Sequence, residues 1–169
     1  MESSEANRSV SASETAAAEL DRLQVGDTAS CEWTVTAELL DSFASFSGDT
    51  NPLHMDERFA RSCGFPGRVA HGMVALSAIS RLIGTRIPGP GALWISQDVH
   101  LVAPSFLGDQ IEARVTVQAI SRAAQVVVLH TEAVNVATRT AILRGTAKVH
   151  VPARQVAEPG DAVQDVRNS

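Results

Sequence analysis

Residues Met73 to Ile83 are apolar on almost every side of a helix, and this one segment limits the folds open to the chain. Only Ser77, Arg81 and Thr85, spaced four apart, interrupt it with a polar stripe. Such a helix has to be covered by other elements around most of its circumference. Pro88-Gly89-Pro90-Gly91 then stops it firmly. The chain beyond Gly91 reads as strand: Leu93, Ile95, Val99 and Leu101 alternate with Trp94, Ser96, Asp98 and His100, and Ile111, Ala113, Val115 and Val117 alternate with Glu112, Arg114, Thr116 and Gln118. Ala124 to Val136 is a more continuous apolar run, and Ala141, Leu143, Gly145, Ala147, Val149 and Val151 alternate with Thr140, Ile142, Arg144, Thr146, Lys148 and His150. Breakers at Pro104, Gly108-Asp109, 121–123 and 138–139 fit an antiparallel meander.

Upstream of the helix, residues 28–36 alternate as a half-buried strand with Ala29, Cys31, Trp33 and Val35 on one face. Thr36 can cap a helix in which Leu39, Leu40, Phe43 and Phe46 are expected to share a side, and Gly48 ends it. A short amphipathic turn at Asp56 to Ser62 takes Phe59 as its anchor. The fold class implied is α+β: one curved antiparallel sheet of about five strands around a long central helix, with a helical overhang inserted after the first strand. A lone sheet of this kind leaves an edge exposed, which predicts a homodimer or a higher assembly of dimers.

The length of 169 residues and the 44% apolar content suit one domain with a proper core, expected at 21–152. Residues 1–20 and 153–169 are too polar and small to bury much surface and read as disordered tails. A formal charge of −5 with interspersed signs argues against a nucleic-acid partner, so an anionic ligand has to be met by local bases among Arg58, Arg61, Arg68, Arg81, Arg86 and Lys148. No run reaches membrane length and Met1 to Ala18 has no signal-peptide pattern, so no membrane association is expected and a cytoplasmic location follows. Cys31 and Cys63 match no zinc or redox spacing, and His100, His130 and His150 sit in strands without a second ligand, so no metal is expected.

The chemistry concentrates in two stretches. Ser47-Gly48-Asp49-Thr50-Asn51-Pro52-Leu53-His54 places a carboxylate and an imidazole five residues apart on a segment that Gly48 and Asn51-Pro52 are expected to force to be non-helical, so that both can be aimed at one point. Ala70-His71-Gly72-Met73 opens the apolar helix, whose unpaired N–H groups can receive developing negative charge. An acid/base pair beside an oxyanion site is what adding water to an acyl thioester, or removing it, requires. Asn51 serves as a turn former or contacts substrate, and His71 caps the helix or lines the tunnel. Gly72 admits ligand or lets the helix pack against a strand. Ser80, on an apolar face with Met73, Leu76 and Ile83, either back-bonds to the Leu76 carbonyl or orients the Asp49 carboxylate.

The run Phe46 to His54, followed by Ala60, resembles the signature of the (R)-specific enoyl-CoA hydratases, the hydratase 2 or MaoC-like group of hotdog proteins. Ala70-His71-Gly72-Met73, the Pro88 to Gly91 stop and Phe106-Leu107-Gly108-Asp109 are similar to that group as well, so the likeness spans roughly residues 22–151. The resemblance implies that Asp49 and His54 form a catalytic dyad, that the Gly72 N–H holds the thioester oxygen, and that Ser80 supports the dyad. It implies no cofactor, and a CoA or acyl-carrier-protein thioester as substrate. The reaction implied is reversible hydration of a trans-2-enoyl-CoA to the (R)-3-hydroxyacyl-CoA. The alternatives are a 3-hydroxyacyl-ACP dehydratase, a hotdog thioesterase and a non-catalytic thioester-binding module.

Overall fold

The computed structural model describes residues 20–152, and the expected tails lie outside them apart from Leu20, which is buried in the core. In chain order the elements are β1 (Thr28–Thr34), α1 (Ala37–Ser47), α2 (Pro52–Met55), α3 (Glu57–Ser62), α4 (Gly72–Thr85), β2 (Leu93–Leu101), β3 (Gln110–Ser121), β4 (Val126–Asn135) and β5 (Ala141–His150). The strands form one sheet in the order β1-β3-β4-β5-β2, with every pair antiparallel. Crossing over after α4 puts β2 on one edge of the sheet and leaves β1 on the other.

The alternation in the sequence decides which face holds α4. Ile111, Ala113, Val115 and Val117 of β3, Val127, Leu129 and Ala133 of β4, and Leu143, Ala147 and Val149 of β5 are buried with Ala75, Ile79, Leu82 and Ile83 of α4. Each large aliphatic side chain removed from water contributes about 1.5–3 kcal/mol. Alanines at 113, 133 and 147 keep the centre of the sheet shallow enough for the helix. The opposite face is polar, with Arg114 across from Glu132 and Glu132 across from Arg144. The Arg114 guanidinium, bonded at 2.6 Å, holds the Glu112 carboxyl below the usual carboxylate range.

Three expectations are corrected. Helix α4 is covered on one side only: Met73, Ser77, Ser80, Arg81 and Gly84 lie toward its open side, with Met73 and Ser80 exposed, because the sheet of a single chain reaches around just part of the helix. Leu93, Ile95, Val99 and Leu101 are exposed too, since β2 is an edge strand and a register shift between Trp94 and Ser96 breaks its alternation. Two aromatic residues expected to pack are exposed: Phe46, where Leu40 and Ala44 are the buried residues of α1, and Phe59, where Ala60 is the buried residue of α3, whose start is fixed by Asp56 accepting from the N–H groups of Arg58 and Phe59.

Gly145 holds β2 against the sheet. It pairs with Val99 on one side and Thr131 on the other, and a Cβ there would overlap the Asp98 carbonyl oxygen and approach Gln97 Nε2 to 2.7 Å. Gly145→Ala is expected to cost about 2 kcal/mol, read as a lower urea midpoint at unchanged slope. An unchanged midpoint would show that β2 moves aside freely.

Candidate active site

The loop after α1 is turned by a relay of short side chains. Gly48 takes φ 75° to end the helix, and Ser47 Oγ donates to the Phe43 carbonyl while accepting from Asp49 N at 3.1 Å. Asp49 Oδ1 accepts from Asn51 N at 3.2 Å, and Asn51 Oδ1 accepts from Leu53 N at 3.0 Å. The expectation of a non-helical segment is corrected here: the Asn51 cap and Pro52, whose ring presets a helical φ at the first position, start α2, a single helical turn that presents His54. Asn51 is thus a helix cap, exposed to solvent and not among the walls of the neighbouring cavity.

His54 Nδ1 lies 2.8 Å from the Val69 carbonyl oxygen. A carbonyl only accepts, so Nδ1 carries a proton, and in the neutral tautomer this selects, the lone pair is on Nε2. Nε2 stands 3.9 Å from Asp49 Oδ2. That separation is too long for a direct hydrogen bond, and in any case an ionised carboxylate and a bare ring nitrogen both accept. A water between them, donating one hydrogen to each, fits the span.

His71 is only 2% exposed and packs its ring on His54, with centroids 3.9 Å apart, and on Phe43 at 4.8 Å. It occupies the position before α4 but makes no side-chain cap bond. Instead its Nε2 donates to the Asp49 carbonyl at 3.0 Å. Its Nδ1 is buried with no hydrogen-bond partner in the described part of the chain. Asp49, His54 and His71 bring ligand-type atoms within 4.8 Å of one another, a cluster that spacing alone did not reveal. With the proton on Nε2, the His71 lone pair is on the buried Nδ1, while Asp49 Oδ2 and His54 Nε2 stand 3.9 Å apart, an arrangement suited to a shared water.

A cavity of about 380 Å³ is walled by His54, Val69, Ala70, His71, Gly72 and Ala75 on one side and by 101–105 and Ile142 on the other. Gly72 is the first residue of α4, where N–H groups have no partner within the helix. A Cβ on Gly72 would come within 2.5 Å of Leu101 Cδ1, so the glycine also makes room for the edge strand. Both readings of Gly72 therefore have a structural basis. Asp49 is half exposed and is not one of the cavity walls.

Ser80 is exposed two turns along α4, and no hydrogen bond joins it to Asp49 or to the Leu76 carbonyl among the described residues. The sequence reading also missed Arg68, grouped there with the surface bases. It is 13% exposed at its side chain, and donates from Nε to the His54 carbonyl at 2.6 Å and from Nη2 to Asp41 at 2.5 Å. No local pattern in the sequence signals a contact between residues 14 and 27 positions apart.

Residues 24–138 match the family described as MaoC like domain. The chain belongs to the MaoC-like family. Among its relatives, it is 38% identical over 132 residues to a protein named (R)-specific enoyl-CoA hydratase from Rhodospirillum rubrum, covering 78% of this chain and 90% of that one. It is 36% identical over 140 residues to the 3-hydroxybutyryl-CoA dehydratase of Methylorubrum extorquens, covering 81% and 86%. The solved (R)-hydratase from A. caviae involved in PHA biosynthesis superimposes with a TM-score of 0.75 at 32% identity, covering 78% of this chain and 98% of that structure. The MaoC-like sheet and helix of this chain are therefore a hotdog fold, as expected from its sequence.

Because the Leu101 methyls are the far end of a movable side chain, Gly72→Ala is expected to cost no more than about 1 kcal/mol in a thermal melt, and Leu101→Ala in the same chain should restore most of it. A double variant no more stable than the single one would mean that Gly72 accommodates something other than Leu101.

Proposed function

We propose that this MaoC-like chain catalyses the reversible addition of water to a trans-2-enoyl-CoA, giving the (R)-3-hydroxyacyl-CoA. The observation that carries the proposal is a pair of acceptors, Asp49 Oδ2 and His54 Nε2, 3.9 Å apart beside a cavity that a helix start enters at Gly72. Two relatives named as an (R)-specific enoyl-CoA hydratase and a 3-hydroxybutyryl-CoA dehydratase support the reaction class and its stereochemistry.

In this mechanism the bridging water points its own lone pair away from both acceptors, toward C3 of the enoyl group. With Nδ1 donating to the Val69 carbonyl, His54 presents Nε2 as its acceptor, and Nε2 takes the water proton as the C3–O bond forms. Asp49 accepts the other hydrogen and holds the nucleophile in line. Electron density moves onto the thioester oxygen, which the Gly72 N–H and the positive end of α4 stabilise. The imidazolium then returns its proton to C2. Hydroxyl and hydrogen arrive on the same face because both pass through one water and one ring.

Asp49→Asn and His54→Gln are each expected to lower kcat on crotonyl-CoA by about 10²–10⁴-fold, followed as loss of enoyl absorbance. No turnover by the unaltered protein with enoyl thioesters of any length, on CoA or on acyl-carrier protein, would remove the proposal. Release of free thiol instead would make it a thioesterase. Arg61 is paired with Glu57 and Arg68 with Asp41, so of the six bases singled out in the sequence, Arg58, Arg81, Arg86 and Lys148 are the candidates to meet the phosphates of such a carrier.

The functional unit in this proposal is a homodimer. The exposed apolar residues of edge strand β2 and the open flank of α4 suit a second copy of the chain. Sedimentation should give twice the 17.9 kDa chain mass, with Ile95→Lys shifting the population to monomer. A monomer in the unaltered protein at micromolar concentration would count against it.

A further inference from the structure

We propose that the segment from Arg68 to His71 is a bracket that sets the Asp49–His54 geometry, with Arg68 and His71 as positioning residues acting through main-chain carbonyls. The inference rests on the dyad reading above. It starts from a weakness in the chain: α2 is one turn, too short to be stable alone, and the loop before it is exposed. Something outside the loop has to fix it.

The bracket meets that need with four bonds. Arg68 Nε donates to the His54 carbonyl at 2.6 Å, the Val69 carbonyl accepts from His54 Nδ1 at 2.8 Å, and Val69 N donates to the Leu53 carbonyl at 3.0 Å. His71 Nε2 donates to the Asp49 carbonyl at 3.0 Å. Both members of the dyad are therefore gripped at their backbone from the same four residues, and His54 is gripped at its ring as well. The bracket in turn is anchored in the body of the protein: Val69 bridges to Phe106, Ala70 N donates to the Ser105 carbonyl at 2.8 Å, and His71 runs directly into α4. Arg68 extends the hold to α1 through Asp41. Neither Arg68 nor His71 needs to touch the reacting atoms. Their contribution is to keep two acceptors on one water, where misplacement by about 1 Å costs about 10²-fold in rate.

The test compares Arg68→Met, Arg68→Lys, His71→Ala and His71→Gln by steady-state hydration of crotonyl-CoA. Imidazole ¹⁵N spectra of the substrate-free proteins give a readout that needs no turnover. Gln keeps a donor near the position of Nε2, and Lys keeps a cation able to reach one of the two Arg68 partners. The expected result is a fall in kcat of about 10–100-fold for Arg68→Met and His71→Ala, with KM within about threefold, and substantial recovery in Arg68→Lys and His71→Gln. The His54 Nδ1–H signal, sharp in the unaltered protein, should broaden in Arg68→Met. A rise in KM at constant kcat in His71→Gln would make His71 a ligand contact and overturn its place in the bracket. Unchanged kcat or an unchanged His54 signal in Arg68→Met would overturn the role of Arg68. Should Arg68→Met not fold, Asp41→Asn frees the same guanidinium from α1, and its kcat should fall severalfold; no fall would count against the bracket. If the unaltered protein shows the His54 signal but hydrates nothing, the dyad reading has failed and the bracket has not.

Discussion

The structure depends on the burial of one face of α4 against the inner side of the sheet. Ile79, Leu82 and Ile83 reach the shallow floor made by Ala113, Ala133 and Ala147, and this packing fixes where the helix begins. The position of its first residues is the one rigid coordinate available to the site. His71 and Gly72 inherit it directly, while Asp49 and His54 lie on an exposed loop and a one-turn helix that inherit it only through hydrogen bonds. Hydrophobic burial thus places half of the chemistry, and directional polar contacts transfer that placement to the other half.

That division explains why the tautomer of His54 matters more than its distance from Asp49. A 3.9 Å gap between a carboxylate and an imidazole is ambiguous by itself, since it equally describes a loose ion pair on the surface. The Val69 carbonyl narrows it by fixing a proton on Nδ1, so that the neutral ring can present only Nε2 as an acceptor. Two acceptors are then left facing each other with space for one small donor between them. The stacked ring of His71, itself protonated on Nε2 toward the Asp49 carbonyl, closes one side of that space.

Much of the fold was legible because its signals are local and periodic. The period-two pattern of β3 and β5, the Thr36 cap and the Gly48 stop each depend on a few neighbouring residues, and each appears where the sequence places it. The misreadings at β2 and Phe59 have a shared cause. An apolar residue in a periodic run announces that it will be covered by something, but not whether the cover belongs to the same chain. Within the site, Asp49 and His54 stood out because Gly48 stops the helix just before them and Asn51-Pro52 marks a turn between them. Arg68 did not, because an arginine that braces a carbonyl fourteen residues away leaves no pattern in the sequence. Ser80 was misjudged for the opposite reason: helical spacing grouped it with Met73, Leu76 and Ile83, yet Ile83 faces the core while Met73 and Ser80 lie on the flank that the sheet leaves open.

The open flank of α4 and the edge of β2 also bear on the site itself. Leu101 is the last residue of that edge strand, lies against Gly72, walls the cavity and is 59% exposed. Whatever covers β2 therefore also settles the position of the side chain that stands over the helix start. If a second copy pairs there, closing the sheet edge and shaping the mouth of the cavity become one event, and the thioester site is complete only in the assembled state. The apolar residues that look misplaced in a single chain would then be part of how the cavity obtains its fourth wall.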